Sequence, residues 1–295
     1  PIFDQHSSRL VVGSFFMNKI FWISSYPKSG NTWIRAIITS LFFTKNGKFI
    51  FELLKYCNVF DQPHRYSFVE KINYNDFLRI NNINIVSKYR IDAQKKADVG
   101  GDFAFYKTHS SNIEVNGNRY TDAKSMRGLI YIVRDPRDVV VSFSKYINKS
   151  LDEVIDLISD ENCIRDYFSI PYLMSSWDRH YESWRLLNVP KIIIKYEDLF
   201  TNPIETIKIL IDFLYKSYSF KFDDLEKRLT NILETTNFNY LQGLEKNNGF
   251  VESSKYSKFF RKGKLSQWKE ELNYQQIKKI QTSFEKTMIE LKYLQ

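Results

Sequence analysis

Several short segments combine cations, small residues and a histidine in patterns suited to holding an anion and moving a proton. The first is Ile20-Phe21-Trp22-Ile23-Ser24-Ser25, followed by Tyr26-Pro27-Lys28-Ser29-Gly30-Asn31-Thr32-Trp33. It reads as an apolar strand, a turn and a helix start. The first N–H groups of a helix have no intrahelical partner and point at an incoming anion. Gly30 lets the backbone come close, Thr32 offers a hydroxyl and Lys28 adds positive charge. Lys precedes Gly here and no glycine opens the loop, so this is not the triphosphate loop G-x-x-x-x-G-K-[ST]. The extra glycines of a dinucleotide fingerprint are missing too. A plain strand-to-helix turn would also explain the segment.

The second segment, Tyr131-Ile132-Val133-Arg134-Asp135-Pro136-Arg137-Asp138-Val139-Val140-Val141-Ser142, puts Arg134 at a strand tip and Ser142 two turns into a helix. Guanidinium is the preferred planar partner of a phosphate. Asp135 with Pro136 is a good capping pair. Arg137 and Asp138 read equally well as a solvated pair or as functional groups. A third segment, Phe259-Phe260-Arg261-Lys262-Gly263-Lys264, sets cations beside one of only 10 glycines, as in an anion nest; alone it is a common kind of turn. Between them, Phe105-Tyr106-Lys107-Thr108-His109 ends a strand with a histidine. An unperturbed imidazole, with a pKa of about 6.5, can take a proton near neutrality, though a histidine there can also be structural.

Four apolar runs read as buried strands: 20–24, 103–107, 129–133 and 192–196. Helical periodicity marks 32–43, 136–147, 172–187, 203–214 and 274–291. In the last but one, Ile204, Ile207, Leu210, Ile211 and Leu214 form the stripe and Asn202 the cap. Alternating strands and helices imply right-handed crossovers and a parallel sheet covered on both faces. Ligands of such sheets sit beyond the carboxyl ends of the strands. The stretches 44–100, 145–172 and 239–258 lack strong periodicity and are candidate loops or lids. His180 and Trp184, on one stripe with Trp177, read as core, and Glu197-Asp198 as a helix-start pair.

Composition sets the outer limits. With 295 residues, 43% hydrophobic and 16% aromatic, the chain can bury a large core. Its net charge of +9 favours anionic partners. No block of five or six consecutive Lys/Arg appears, which argues against a nucleic-acid-binding tail. Two cysteines, Cys57 and Cys163, build neither a disulfide framework nor a metal site. A reducing, cytoplasmic setting fits, and no apolar run reaches the length of a membrane span. Met17 reads as a natural start, so residues 1–18 are expected to be an N-terminal extension before one domain at 19–295.

Together these segments resemble the sulfotransferases that use 3′-phosphoadenosine 5′-phosphosulfate (PAPS), especially the cytosolic type. Ser176-Trp177-x-x-His180, Tyr196-Glu197-Asp198-Leu199, Thr236-Asn237-Phe238 and Trp268-Lys269 fall in the family's order as well. The likeness spans about residues 19–270. It implies a single α/β domain, a central parallel sheet flanked by helices in the P-loop-kinase-like sulfotransferase fold. It further implies that Lys28, Ser29, Gly30, Asn31 and Thr32 hold the 5′-phosphosulfate. Trp33, Tyr196, Thr236 and Phe238 would surround the adenosine, and Arg134, Ser142, Arg261, Lys262 and Gly263 would bind the 3′-phosphate. His109 would be the base, with Lys107 and Lys28 beside the sulfuryl group; PAP (adenosine 3′,5′-bisphosphate) would be the product, and no acidic pair compels a metal.

The pattern departs in three places. Asn31 stands where cytosolic members often have Thr, Ser266-Gln267 replaces a Gly-Asp, and the family's dimer stretch after Trp268 is not matched by Lys269, Asn273-Tyr274 and Lys278. The oligomeric state therefore stays open. A nucleotide kinase or triphosphatase would need a Gly-Lys-Ser/Thr and a strand-end Asp for magnesium. A non-catalytic basic module would leave Lys107-Thr108-His109 unexplained. The acceptor hydroxyl is open among small alcohols or phenols, glycans, lipids and peptide tyrosines. Phe49, Phe51, Tyr56, Phe60, Tyr66, Tyr146 and Phe168 either line its pocket or belong to the core.

Overall fold

The computed structural model describes residues 19–69, 82–97, 101–167 and 170–294. The expected extension at 1–18 and the lid aromatic Phe168 lie outside them. The chain order is β1 (Ile20–Ser25), α1 (Asn31–Phe43), α2 (Ile83–Lys96), β2 (Ala104–Thr108), β3 (Gly128–Val133), α3 (Pro136–Ile147) and α4 (Leu151–Ser159), then the hairpin β4 (Ile164–Tyr167) and β5 (Ile170–Leu173). There follow α5 (Trp177–Arg185), β6 (Lys191–Lys195), α6 (Tyr196–Thr201), α7 (Pro203–Tyr218), α8 (Leu225–Thr236), α9 (Phe238–Asn248), α10 (Trp268–Glu271) and α11 (Tyr274–Glu290).

The central sheet is parallel, in the order β2-β1-β3-β6. The four strands expected from the apolar runs are all present, within one residue at each end. Both faces are covered, as a parallel sheet requires. Phe21 and Ile23 pack with Ile34, Ile37, Ile38 and Leu41 of α1 and with Ile207, Leu210 and Leu214 of α7. Ile20 and Trp22 pack on the opposite side, with Trp177 and Trp184 of α5. Trp22, Trp177 and Trp184 are essentially inaccessible, and each such side chain contributes roughly 1.5–3 kcal/mol by leaving water.

Some local expectations are corrected. The helix expected over 172–187 begins only at Trp177. Tyr172 belongs instead to the antiparallel hairpin, paired with Arg165, and Ser175 has φ 62, a left-handed turn that no helix can pass through. The α7 helix runs four residues past the expected end, to Tyr218, with Ile204 exposed rather than on the buried stripe. Asn202 occupies the cap position without a side-chain cap bond. The supposed loops hold α2, α4, the hairpin and α9. Ser150 and Glu153 form a reciprocal capping box on α4, a signal present in the sequence. Phe49, Phe60 and Tyr66 are core residues, whereas Tyr56 is exposed and stacks on Phe43 at 4.5 Å.

Candidate active site

Register brings the chemistry to one edge. Ser24 pairs with Thr108, Ser25 with Ile132, and Val133 with Lys195. The next residues in each strand are therefore neighbours: Tyr26 and the loop to Gly30, His109, Arg134 and Tyr196. They open on a cleft of about 470 Å³, lined among others by Lys28, Lys107, His109, Arg134, Ser142 and Glu252.

The loop after β1 is bent to face this cleft. Lys28 has φ 66 and Gly30 has φ 100, the left-handed region that Gly adopts without a Cβ penalty. A Cβ on Gly30 would meet Tyr196 Cδ2 at 2.7 Å, so the position also needs a bare backbone for packing. Trp33 and Tyr196 meet edge to face at 5.8 Å. The Ser29 hydroxyl is buried and has no hydrogen-bond partner among the described residues. Lys28 Nζ lies 4.1 Å from the Tyr146 ring centre and 4.0 Å from that of Phe259. Burial, then repulsion from Lys107 and Arg134, lowers its ammonium to about 7.

Arg134 reaches across the cleft floor. Its guanidinium donates to the Lys28 carbonyl at 3.2 Å and to the Lys264 carbonyl at 3.4 Å, and lies 4.3 Å over the Tyr196 ring. Its Nε has no partner among the described residues. Arg261, Lys262 and Gly263 line the same cleft. Gly263, at φ 54, leaves no room for a Cβ, which would meet Phe238 at 2.3 Å. Arg261 donates to Gln267 at 2.9 Å and Lys262 pairs with Glu271 at 2.9 Å. Arg137 and Asp138 are buried rather than a solvated pair. Arg137 is held by Asp135 and sits 3.9 Å from the Trp268 ring centre. Asp138 accepts from the backbone N–H groups of Ser266 and Trp268 at 2.9 and 3.2 Å. The Asp138 carboxylate thus fastens the last basic loop to α3.

His109 is buried at the tip of β2. Its Nδ1 is 2.6 Å from the Ser25 carbonyl and 3.3 Å from the Ser25 hydroxyl. A carbonyl only accepts, so Nδ1 carries the hydrogen and Nε2 the lone pair. Burial, and then Lys107, push the imidazole well below its usual value, so it is neutral at physiological pH. His180 is core as expected: it meets Tyr131 at 2.8 Å and the His109 carbonyl at 3.2 Å, and burial lowers it to about 3.

Thr236 and Asn31 turn their side-chain polar groups onto the protein, while Asn31 still lines the cleft. Thr236 turns its hydroxyl back onto the Ile232 carbonyl at 2.7 Å and is not among the cleft-lining residues. Asn31 directs its amide N–H groups to the Ile23 carbonyl and the Ser25 hydroxyl, both at 3.2 Å. Conversely, the sequence gives no hint of Glu252. Its carboxylate accepts from Lys107 at 2.9 Å, Arg35 at 2.5 Å and Thr32 at 3.3 Å, closing the 249–258 segment over the cleft. Lone acidic residues in aperiodic stretches carry no signature; Arg35, a charge inside an apolar helix, calls for a counter-ion without pointing to Glu252.

Known proteins with this geometry are informative. The profile of the sulfotransferase domain matches residues 18–292. Cytosolic sulfotransferase 1 of Arabidopsis thaliana is 24% identical over 281 residues, covering 90% of this chain and 77% of that one. Flavonol 3-sulfotransferase of Flaveria bidentis is 24% identical over 277 residues, covering 89% and 79%. A mouse sulfotransferase crystallised with PAP superposes with a TM-score of 0.57 at 19% identity, covering 92% of this chain and 84% of that one. Retinol dehydratase, in complex with androsterone and PAP, gives 0.60 at 17% identity, covering 91% and 80%. A match over nearly the full length, on a parallel sheet whose strand tips carry the segments described above, makes this chain a member of the sulfotransferase domain family.

Proposed function

We propose that the protein transfers a sulfuryl group from PAPS to a hydroxyl of an acceptor by in-line displacement, with His109 as general base. The observation that carries this reading is the Ser25 carbonyl 2.6 Å from His109 Nδ1. It leaves the lone pair on Nε2 of a neutral imidazole, in a cleft that also holds Lys28 and Lys107. The acceptor O–H gives its proton to Nε2 while its oxygen forms the new O–S bond. The S–O bond to the 5′-phosphate breaks, its electron pair stays on the phosphate oxygen, and PAP departs. Lys28 and Lys107 offset the charge that gathers on that oxygen.

The residues present fit the donor. The buried Arg134, with one N–H uncommitted, offers a donor to an anionic oxygen from the cleft lining; the Ser29 hydroxyl, also unpartnered among the described residues, is not among the lining residues. Ser142, Arg261, Lys262 and the bare backbone of Gly263 complete the 3′-phosphate end, while Trp33, Tyr196 and Phe238 flank the adenine. Thr32 must exchange Glu252 for the donor. Val59, Phe143, Ile147 and Tyr172 also line the cleft, beside the polar Asn58, Arg165 and Asp166; the apolar share supports an apolar alcohol or phenol as acceptor. The relatives named as flavonol sulfotransferases support the same class. The relatives named as cytosolic support a cytoplasmic setting, and among the described residues no helix is long and apolar enough to cross a membrane. Each charge-assisted bond to the 3′-phosphate is worth roughly 1.5–3 kcal/mol, so PAP should bind at least about tenfold more tightly than AMP by calorimetry. Equal affinities would remove the 3′-phosphate assignment.

A further inference from the structure

We propose that Tyr146 and Phe259 are positioning residues that hold the Lys28 ammonium in the corner between their two ring faces. The inference rests on the reading of Lys28 as a contact of the donor. Lys28 Nζ lies 4.1 Å over the Tyr146 ring and 4.0 Å over that of Phe259. The ring centres are 6.3 Å apart and the planes meet at 87°. Two negative ring faces therefore turn to one cation, one from the end of α3 and one from the 259–264 segment. Among the described residues the ammonium has no hydrogen-bond or ion-pair partner, so the two faces are what holds it.

Both rings are themselves fixed. The Tyr146 hydroxyl donates to the Glu252 carbonyl at 3.1 Å. The Phe259 backbone N–H donates to one oxygen of the buried Glu245 at 2.7 Å, and that of Phe260 to the other at 2.9 Å. The Phe259 ring also packs edge to face on Phe250 at 5.1 Å. A lysine side chain free in a cleft spreads over many rotamers; two fixed faces select one place for its head. They act on its charge as well. Burial, Lys107 of β2 and Arg134 after β3 favour the neutral amine, whereas Glu252 and Glu245 favour the ammonium. An aromatic face attracts only the ammonium and so works with the two acids. Because Phe259 shortly precedes Arg261, Lys262 and Gly263, the segment read as binding the 3′-phosphate also builds half the seat of Lys28.

The test is carbon-13 NMR of lysine-labelled protein without nucleotide, with the Lys28 signal assigned by its loss in K28R. In the wild type Lys28 should titrate at about 7. F259L keeps an apolar side chain but removes the face, so the midpoint should fall by about one unit, and F259W should restore it. Calorimetric PAP affinity is the second readout. At a pH of about 8, F259L should bind PAP up to about tenfold more weakly, because less of its Lys28 is charged; the gap should close towards a pH of about 5. An unchanged or raised midpoint in folded F259L would overturn the proposal. So would an affinity loss of equal size at both pH values, which marks general damage to the 259–264 segment. If F259L fails to fold, Y146L tests the other face, and an unchanged midpoint there overturns the proposal equally. Y146F, which keeps the ring and loses only the hydroxyl, should keep the wild-type midpoint. Failure of the donor reading is seen separately, as K28A that binds PAP and turns over like the wild type; the Lys28 titration does not depend on that result.

Discussion

Lys107 Nζ lies 2.9 Å from Glu252 Oε2, and the other oxygen of that carboxylate holds Arg35 at 2.5 Å. One acid from the 249–258 segment therefore bridges two buried cations, one on β2 and one on α1, and leaves the cluster with a net positive charge. Burial alone would raise the Glu252 carboxyl; Arg35 and Lys107 outweigh it and hold the group well below the ordinary range. Burial lowers the Lys107 ammonium, and Glu252 opposes that shift.

Removing Glu252 leaves two cations without their counter-charge. E252Q should cost about 3–5 kcal/mol and lower the melting temperature by roughly ten degrees. A depressed folded-state carboxylate adds stability above its unfolded value of about 4.5 and loses it as pH falls through the folded one. The gap between wild type and E252Q, followed by circular dichroism, should hold from neutrality down to about that pH and close below it. Equal melting temperatures at neutral pH would show that the cluster is not structural.

Lys28, lowered to about 7 by burial and by its cationic neighbours, is about half charged in the free protein near neutrality. A bound anion favours the ammonium, so PAP binding at a pH of about 8 should take up a fraction of a proton, up to about one. Below about 6 the group is already charged and uptake should vanish. Calorimetry in buffers of different ionisation enthalpy measures this directly. K28R, charged throughout, should abolish the uptake; uptake that persists in K28R must arise elsewhere.

Much of the fold was legible because parallel strands are continuous apolar runs, and 20–25, 104–108, 128–133 and 191–195 have few competitors. The loop after β1 was legible because Lys28 and Gly30 sit together at a strand-to-helix junction. Side-chain direction was not. Asn31 and Thr236 lie in recognisable segments, yet one amide turns to Ser25 and one hydroxyl to Ile232, choices fixed by nearby carbonyls rather than by spacing. The hairpin before α5 was hidden because aromatic spacing from Trp177 to Trp184 is helical, and reading it backwards overran Ser175-Ser176, where a left-handed turn and a cap start the helix. Glu252 was invisible because its partners, Arg35 and Lys107, are 217 and 145 residues away.

The central claim is that His109 removes the acceptor proton while other residues hold the donor. The direct measurement is turnover of radiolabelled PAPS by H109A across a panel of phenols and alcohols, beside calorimetric PAP binding. Loss of a general base should lower turnover by about a hundredfold or more. PAP affinity should stay within about threefold, because the nucleotide contacts remain. H109A that turns over at the wild-type rate, with PAP bound normally, would contradict the account.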